Sequence, residues 1–270
     1  MPTPCRLKGD RCGRALREEH DVSFEFESQP RFNEGQPRYR QVSIGNPAVE
    51  VSETSGILHI RSLEVLSPRP MRLLDRLVHW AQVRPQHTFI AAREPGGDWR
   101  RISYAWMLGS VRAIAQSLLA YGLSAERPLV ILSGNDIEHL QIALGAMYAG
   151  FPFCPVSPAF SLLPRDYAKL RHVCELLQPG LIFVSDASAY QRAIEAVLPS
   201  DTLLVAVRGH IPGRQQVSFA DLLTCAGGPE AEAAFMASGP DSIAKFLFTS
   251  GSTKLPKAVI TTQRMLCANQ

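Results

Sequence analysis

The chain has 270 residues, 46% of them hydrophobic and 20% charged, with a formal net charge of +3. That length and apolar content suffice for a substantial core, as one large domain or two small ones, and exclude disorder throughout. The charge is too mild to imply a nucleic-acid surface without a clustered basic face, and no apolar run is long enough to cross a membrane, so neither nucleic acid nor bilayer is an expected partner.

Residues 1–40 are rich in Pro, Gly, Glu and Arg and carry no hydrophobic period, which predicts a loosely ordered N-terminal extension. Arg6, Lys8, Arg11, Arg14 and Arg17 give it a basic look, but Asp10, Glu18 and Glu19 and the lack of an apolar stretch argue against a transit peptide. From Ala48 the signals change. AVEVS and ILHIRS read as a hairpin turning at Thr54–Gly56, and MRLLDRLVHWAQV, from Met71, sets Leu73, Leu74, Leu77, Val78 and Ala81 on one helical stripe. TFIAAR and WRRISY are strands around Pro95–Asp98, and Tyr104–Tyr121 is a helix closed by Gly122.

The chain then alternates: strand PLVILS, helix IEHLQIALGAMYA, strand FPFCPV, helix RDYAKLRHVCELL, strand LIFVS, helix SAYQRAIEAVL, strand TLLVAV. Continuous apolar runs such as PLVILS suit parallel strands covered on both faces, so the expected fold is a doubly wound, mostly parallel α/β sheet with flanking helices. Ligands of such sheets sit beyond the carboxyl ends of strands, which gives priority to the loops after Ser133, Ser185 and Thr249.

The last of these loops is the most suggestive. After the apolar run IAKFLF comes Thr249-Ser250-Gly251-Ser252-Thr253-Lys254-Leu255-Pro256-Lys257. Its hydroxyls and small residues let backbone N–H groups converge on an anion, and a lysine adds a mobile charge for a polyphosphate. Neither G-x-x-x-x-G-K-[ST] nor G-x-G-x-x-G can be fitted to it.

TSGSTKLPKAV resembles the phosphate-binding motif [ST]-[ST]-G-[ST]-T-G-x-P-K of the adenylate-forming superfamily, with Lys254 as the departure. Ile102-Ser103-Tyr104 and LGAMYAGFPFCPVSP resemble two earlier core motifs. GNDIEHLQIALGAMYAGFPFCPVSPAFSL, KFLFTSGST and LPKAVITTQRMLCANQ, with alanine at 258, look most like bacterial feruloyl-CoA synthetases. The resemblance runs from about Tyr39 onward. It implies a partial AMP-binding domain over residues 41–270, truncated after the phosphate-binding loop.

The reaction so implied is attack of a carboxylate on the α-phosphate of ATP, then displacement of AMP by coenzyme A. Ferulate or a related hydroxycinnamate would be the acid, and Mg²⁺ would shield the triphosphate. Carried over by position, Thr249, Ser250, Gly251, Ser252, Thr253 and Lys257 would hold the ATP phosphates, with Lys257 a countercharge as pyrophosphate leaves. The family's acid pocket, Mg²⁺-binding glutamate, ribose-binding aspartate and catalytic lysine find no counterpart in the chain. The expectation is therefore an inactive or partial fragment, prone to self-association through a truncated sheet. The alternatives are a non-catalytic nucleotide-binding or interaction fragment, or a ligase for benzoate or a fatty acid.

Other residues have simpler readings. Ser103, Asn135 and Asp136 suit helix caps, Tyr104 a packing aromatic, and His79, His139 and His172 surface positions or satisfied hydrogen bonds. The six cysteines form no CxxC pair, and Cys154 and Cys174 sit in apolar segments. Free thiols, no signal peptide and no N-x-[ST] site point to the cytoplasm.

Lys254 poses two opposed effects. If the backbone needs positive φ there, a side chain costs about 1–2 kcal/mol. An added cation at about 4 Å from phosphate gains roughly 1–4 kcal/mol before screening. A net loss is expected, because wrong loop geometry hurts every step.

Overall fold

The computed structural model describes residues 48–64, 68–163, 166–249 and 255–269. The described residues fall into two units, 48–64 and those from 68 onward. In the first, β1 (Val49–Thr54) and β2 (Ile57–Ser62) pair antiparallel, Val49 opposite Ser62 and Thr54 opposite Ile57. Ser55 and Gly56 make the turn with φ of 54° and 80°, the left-handed pair that matches the twist of a two-residue hairpin. The predicted extension over residues 1–40 lies outside the described residues.

The second unit opens with α1 (Asp75–Val83). This helix starts at Asp75 rather than Met71 because the preceding residues form a tight turn: the Arg72 amide donates to the Asp75 carboxylate at 3.0 Å and the Asp75 amide to the Arg72 carbonyl at 3.2 Å. A separate antiparallel pair, β3 (Thr88–Arg93) and β4 (Trp99–Ser103), leads into α2 (Tyr104–Leu119). Ser103 caps α2 by accepting from the Trp106 amide at 3.2 Å, and Tyr104 packs edge-on against Phe89, as expected of both.

The main sheet is built from β5 (Leu129–Leu132), α3 (Ile137–Tyr148), β6 (Phe153–Pro155), α4 (Ala159–Leu162), α5 (Ala168–Leu177), β7 (Leu181–Asp186), α6 (Ala187–Val197) and β8 (Leu203–Arg208). It continues through β9 (Gln216–Ser218), α7 (Phe219–Leu222), α8 (Pro229–Ala237), β10 (Ile243–Thr249), β11 (Lys257–Thr262) and α9 (Gln263–Ala268). The strand order is β11-β10-β6-β5-β7-β8-β9, parallel except for the antiparallel β11. The expected doubly wound sheet is therefore what forms.

Alternation along each strand splits the core in two. Leu129, Ile131, Leu181 and Phe183 pack with Ile142 and Met147 of α3 and Ile114 and Leu118 of α2. Their neighbours Val130, Leu132, Ile182 and Val184 pack with Leu170 and Val173 of α5 and Tyr190 and Ile194 of α6. A run buried on both faces has no polar side to show, which is why LVIL is uninterrupted. Each enclosed Leu or Ile contributes about 1.5–3 kcal/mol. The parallel order points the carboxyl ends of β5, β6, β7 and β10 to one edge of the sheet. No helix among the described residues is long and apolar enough to cross a membrane.

Candidate functional site

Of the loops on that carboxyl edge, those after β5, β7 and β10 are the three given priority by the sequence, and two of these are occupied by their own caps. After β5, the Asp136 carboxylate accepts from the His139 amide at 2.8 Å, the N-cap bond expected of it. His139 Nδ1 lies 2.8 Å from the Ser133 hydroxyl and 3.0 Å from the Gly134 carbonyl, so the imidazole clamps the loop that precedes its own helix. Burial lowers the pKa of His139 and raises that of Asp136. This Ser–His pair is a structural clamp, with both hydrogen-bonding partners internal to the loop. After β7, Asp186 caps α6 through the Ser188 and Ala189 amides and pairs with Arg208 at 2.9 Å, and the hydrogen bond from Arg208 is the main cause of its lowered pKa.

The third opening lies between β10 and β11. Their antiparallel register sets Thr249, the last residue of β10, opposite Lys257, the first of β11. Both are exposed, and the Thr249 hydroxyl lies 3.5 Å from the Lys257 carbonyl. The two ends of the predicted phosphate loop thus face each other at the rim, a hydroxyl beside a lysine. Ser250, Gly251, Ser252, Thr253 and Lys254 lie outside the described residues. Next to Lys257, Pro256 is buried, and its carbonyl accepts from His172 Nε2 at 3.0 Å. Of the two readings the sequence leaves for His172, a surface position or a satisfied hydrogen bond, the second holds, with a partner 84 residues away.

A cavity of about 770 Å³ lies elsewhere, lined by Arg127, Gly180, Leu203 and residues around them, just ahead of β5, β7 and β8. That is the amino end of the strands, opposite the candidate rim. Among the described residues no group of three or more His, Cys, Asp or Glu side chains is placed to hold a metal ion.

Ligands of open, mostly parallel α/β sheets bind beyond the carboxyl ends of the strands, the edge at which Thr249 and Lys257 face each other. The chain belongs to the AMP-binding enzyme family, whose model matches residues 77–270. It is 26% identical over 217 residues to apicidin F synthase of Gibberella fujikuroi, covering 78% of this chain and 4% of that protein. It is 29% identical over 192 residues to an isonitrile lipopeptide synthase of Streptomyces coeruleorubidus, covering 68% of this chain and 12% of that protein. Two solved structures share the fold. One is a fatty acyl-adenylate ligase from L. pneumophila in complex with acyl adenylate and pyrophosphate: TM-score 0.55, 19% identity, 73% of this chain and 31% of that one. The other is an adenylation, ketoreductase and pseudo Asub multidomain structure of a keto acid-selecting NRPS module: TM-score 0.59, 21% identity, 76% of this chain and 16% of that one.

Proposed function

We propose that this protein serves the ATP-dependent activation of a carboxylic acid. In that reaction a carboxylate oxygen bonds to the α-phosphorus of ATP as the bond to the bridging oxygen breaks, giving an acyl-adenylate and pyrophosphate. A coenzyme A thiol then displaces AMP to leave a thioester. Ser250, Gly251, Ser252 and Thr253, with Thr249, hold the phosphates in this reading, and Lys257 balances the charge of departing pyrophosphate. Adenylyl transfer depends on positioning and charge stabilisation, so a loop of hydroxyls, amides and one cation suits it without a covalent nucleophile. Mg²⁺ would shield the charge of the triphosphate.

The observation that carries the reading is the pairing of Thr249 with Lys257 at the carboxyl end of a parallel-sheet strand. The likeness of the Gly134–Leu162 segment to feruloyl-CoA synthetases favours ferulate or another hydroxycinnamate as the acid. The same reading places residues 41–270 in an adenylation domain, residues 1–40 in an extension, and the protein in the cytoplasm. A second reading, activation of a fatty or keto acid, draws on the two solved structures, which concern a fatty acyl-adenylate ligase and a keto acid-selecting module.

Calorimetry with Mg·ATP tests the shared part of both readings. The 270-residue chain should bind, and Lys257→Ala should weaken binding by roughly ten- to hundredfold, the worth of one charge-assisted hydrogen bond. Wild-type affinity in Lys257→Ala would refute the role of this loop. Lys254→Gly should tighten binding, and unchanged affinity would make Lys254 a neutral variation. Hydroxamate trapping with ferulate, a fatty acid and a keto acid then separates the acids, and no adenylate from any of them is the outcome expected of an inactive or partial fragment.

A further inference from the structure

The rim at β11 is held from a helix distant in sequence. His172 lies on α5, whose Leu170, Val173, Cys174 and Leu177 are buried in one of the two cores and fix the helix in place. Its Nε2–H donates to the Pro256 carbonyl at 3.0 Å. A carbonyl oxygen only accepts, so the proton of this bond resides on Nε2. Pro256 C=O and Lys257 N–H are the two ends of one planar trans peptide unit. Fixing the carbonyl toward α5 therefore also fixes the Lys257 N–H in the opposite sense. On its far side the Lys257 carbonyl faces the Thr249 hydroxyl across the strand pair. The backbone of Lys257 is thus constrained from both flanks, by α5 before it and by β10 beside it.

We propose that His172 is a positioning residue for Lys257: its bond to the Pro256 carbonyl sets the peptide from which the lysine side chain is presented to an anionic phosphate chain. The inference rests on the phosphate-loop reading above and assigns His172 no contact with the ligand.

Two variants of the full chain test it. His172→Phe keeps an aromatic ring and removes the donor, whereas His172→Gln keeps a nitrogen donor of similar reach. Hydrogen exchange of the peptide spanning Thr249–Val259 should run several-fold faster in His172→Phe and return to the wild-type rate in His172→Gln. The Mg·ATP dissociation constant should rise about three- to tenfold in the Phe variant, as for one lost hydrogen bond, and return to within about twofold in the Gln variant. Wild-type binding of ATP combined with a silent His172→Phe, or with a Gln variant as impaired as Phe, overturns this inference alone. Absence of ATP binding by the wild-type chain overturns the phosphate-loop reading and the role assigned to His172 with it.

Discussion

Tyr148 shows how one side chain joins three helices. It is fully enclosed, its ring stacks on Phe235 of α8 with centroids 4.2 Å apart, and its hydroxyl lies 2.9 Å from the Glu232 carboxylate and 3.2 Å from Arg112 Nε of α2. Arg112 and Glu232 also meet directly at 2.7 Å, both partly exposed. Removing only the hydroxyl leaves that ion pair intact, so Tyr148→Phe should lose about 1 kcal/mol, the net value of a hydrogen bond. Thermal unfolding should show the midpoint lowered by about 2–4 °C, and an unchanged midpoint would mean that the ion pair alone joins the helices. Two buried thiols make a second residue-scale prediction. Burial, aided by Cys174 for Cys154 and by Glu175 for Cys174, pushes both up to about 12 from 9.0. A raised folded pKa means that stability is complete below the unfolded value and is lost as pH climbs from about 9 toward 12. Denaturation at pH 8 and pH 10 should differ by about 1.4 kcal/mol for each thiol, and the double Cys→Ala variant should flatten that dependence. The buried thiols, the caps at Ser103 and Asp136 and the packing of Tyr104 were legible in the sequence because each follows from local composition. The partner of His172 was not, because no local pattern announces a bond across 84 residues.

The contact between α2 and α3 depends on one small residue. A Cβ built on Gly145 would stand 2.8 Å from Ile114 Cβ and closer still to Cγ2 of the same side chain. Ile114 is fully buried and has no room to withdraw. Gly145→Ala should therefore destabilise by roughly 1–3 kcal/mol despite the better helix propensity of alanine. Ile114→Ala alone should cost about 2–5 kcal/mol and the double variant less than the sum of the two changes, whereas strictly additive effects in the double-mutant cycle would show that the two side chains do not compete for space. Elements of ten residues or more, such as α2, α3 and α6, were readable from their period, and the strands from their unbroken apolar runs. The short elements α4, β9 and α7 were not, since three or four residues hold too little of any period. Tertiary geometry moved other boundaries: Tyr167, at φ 52°, starts α5 at Ala168, inside the segment read as helical. For α8 the signals were present, with Pro229 at its first turn beside Glu230 and Glu232, but its alternation of small and acidic residues lacks an apolar stripe.

At the scale of the whole molecule, the sheet finishes differently on its two sides. Beyond β8 lies the three-residue β9, whereas the other side ends in β10 and the six-residue β11. Adjacent residues of a strand point to opposite faces, and Val259 and Ile260 are 45% and 52% exposed, so β11 leaves apolar surface bare on both faces at once. Leu247 on β10 is 36% exposed beside them. Among the described residues β11 pairs only with β10, which leaves the N–H and C=O groups of its outer edge free to template another strand. Among the described residues α9 touches β11, yet it leaves Val259 and Ile260 exposed, whereas the helices flanking β5 and β7 bury those strands on both faces. Self-association of the 270-residue chain through this edge is the expected consequence, and sedimentation from about 1 to 100 μM should show mass rising with concentration. Ile260→Lys places a charge where an incoming strand would pack and should return the chain to monomer, while the same change at exposed Met236 on α8 should not. A wild-type chain that stays monomeric over that range would show the edge to be protected. Because β11 starts at Lys257, a second strand docked there would brace the same rim that His172 holds, so Mg·ATP affinity should also vary with protein concentration in the wild type and cease to vary in Ile260→Lys.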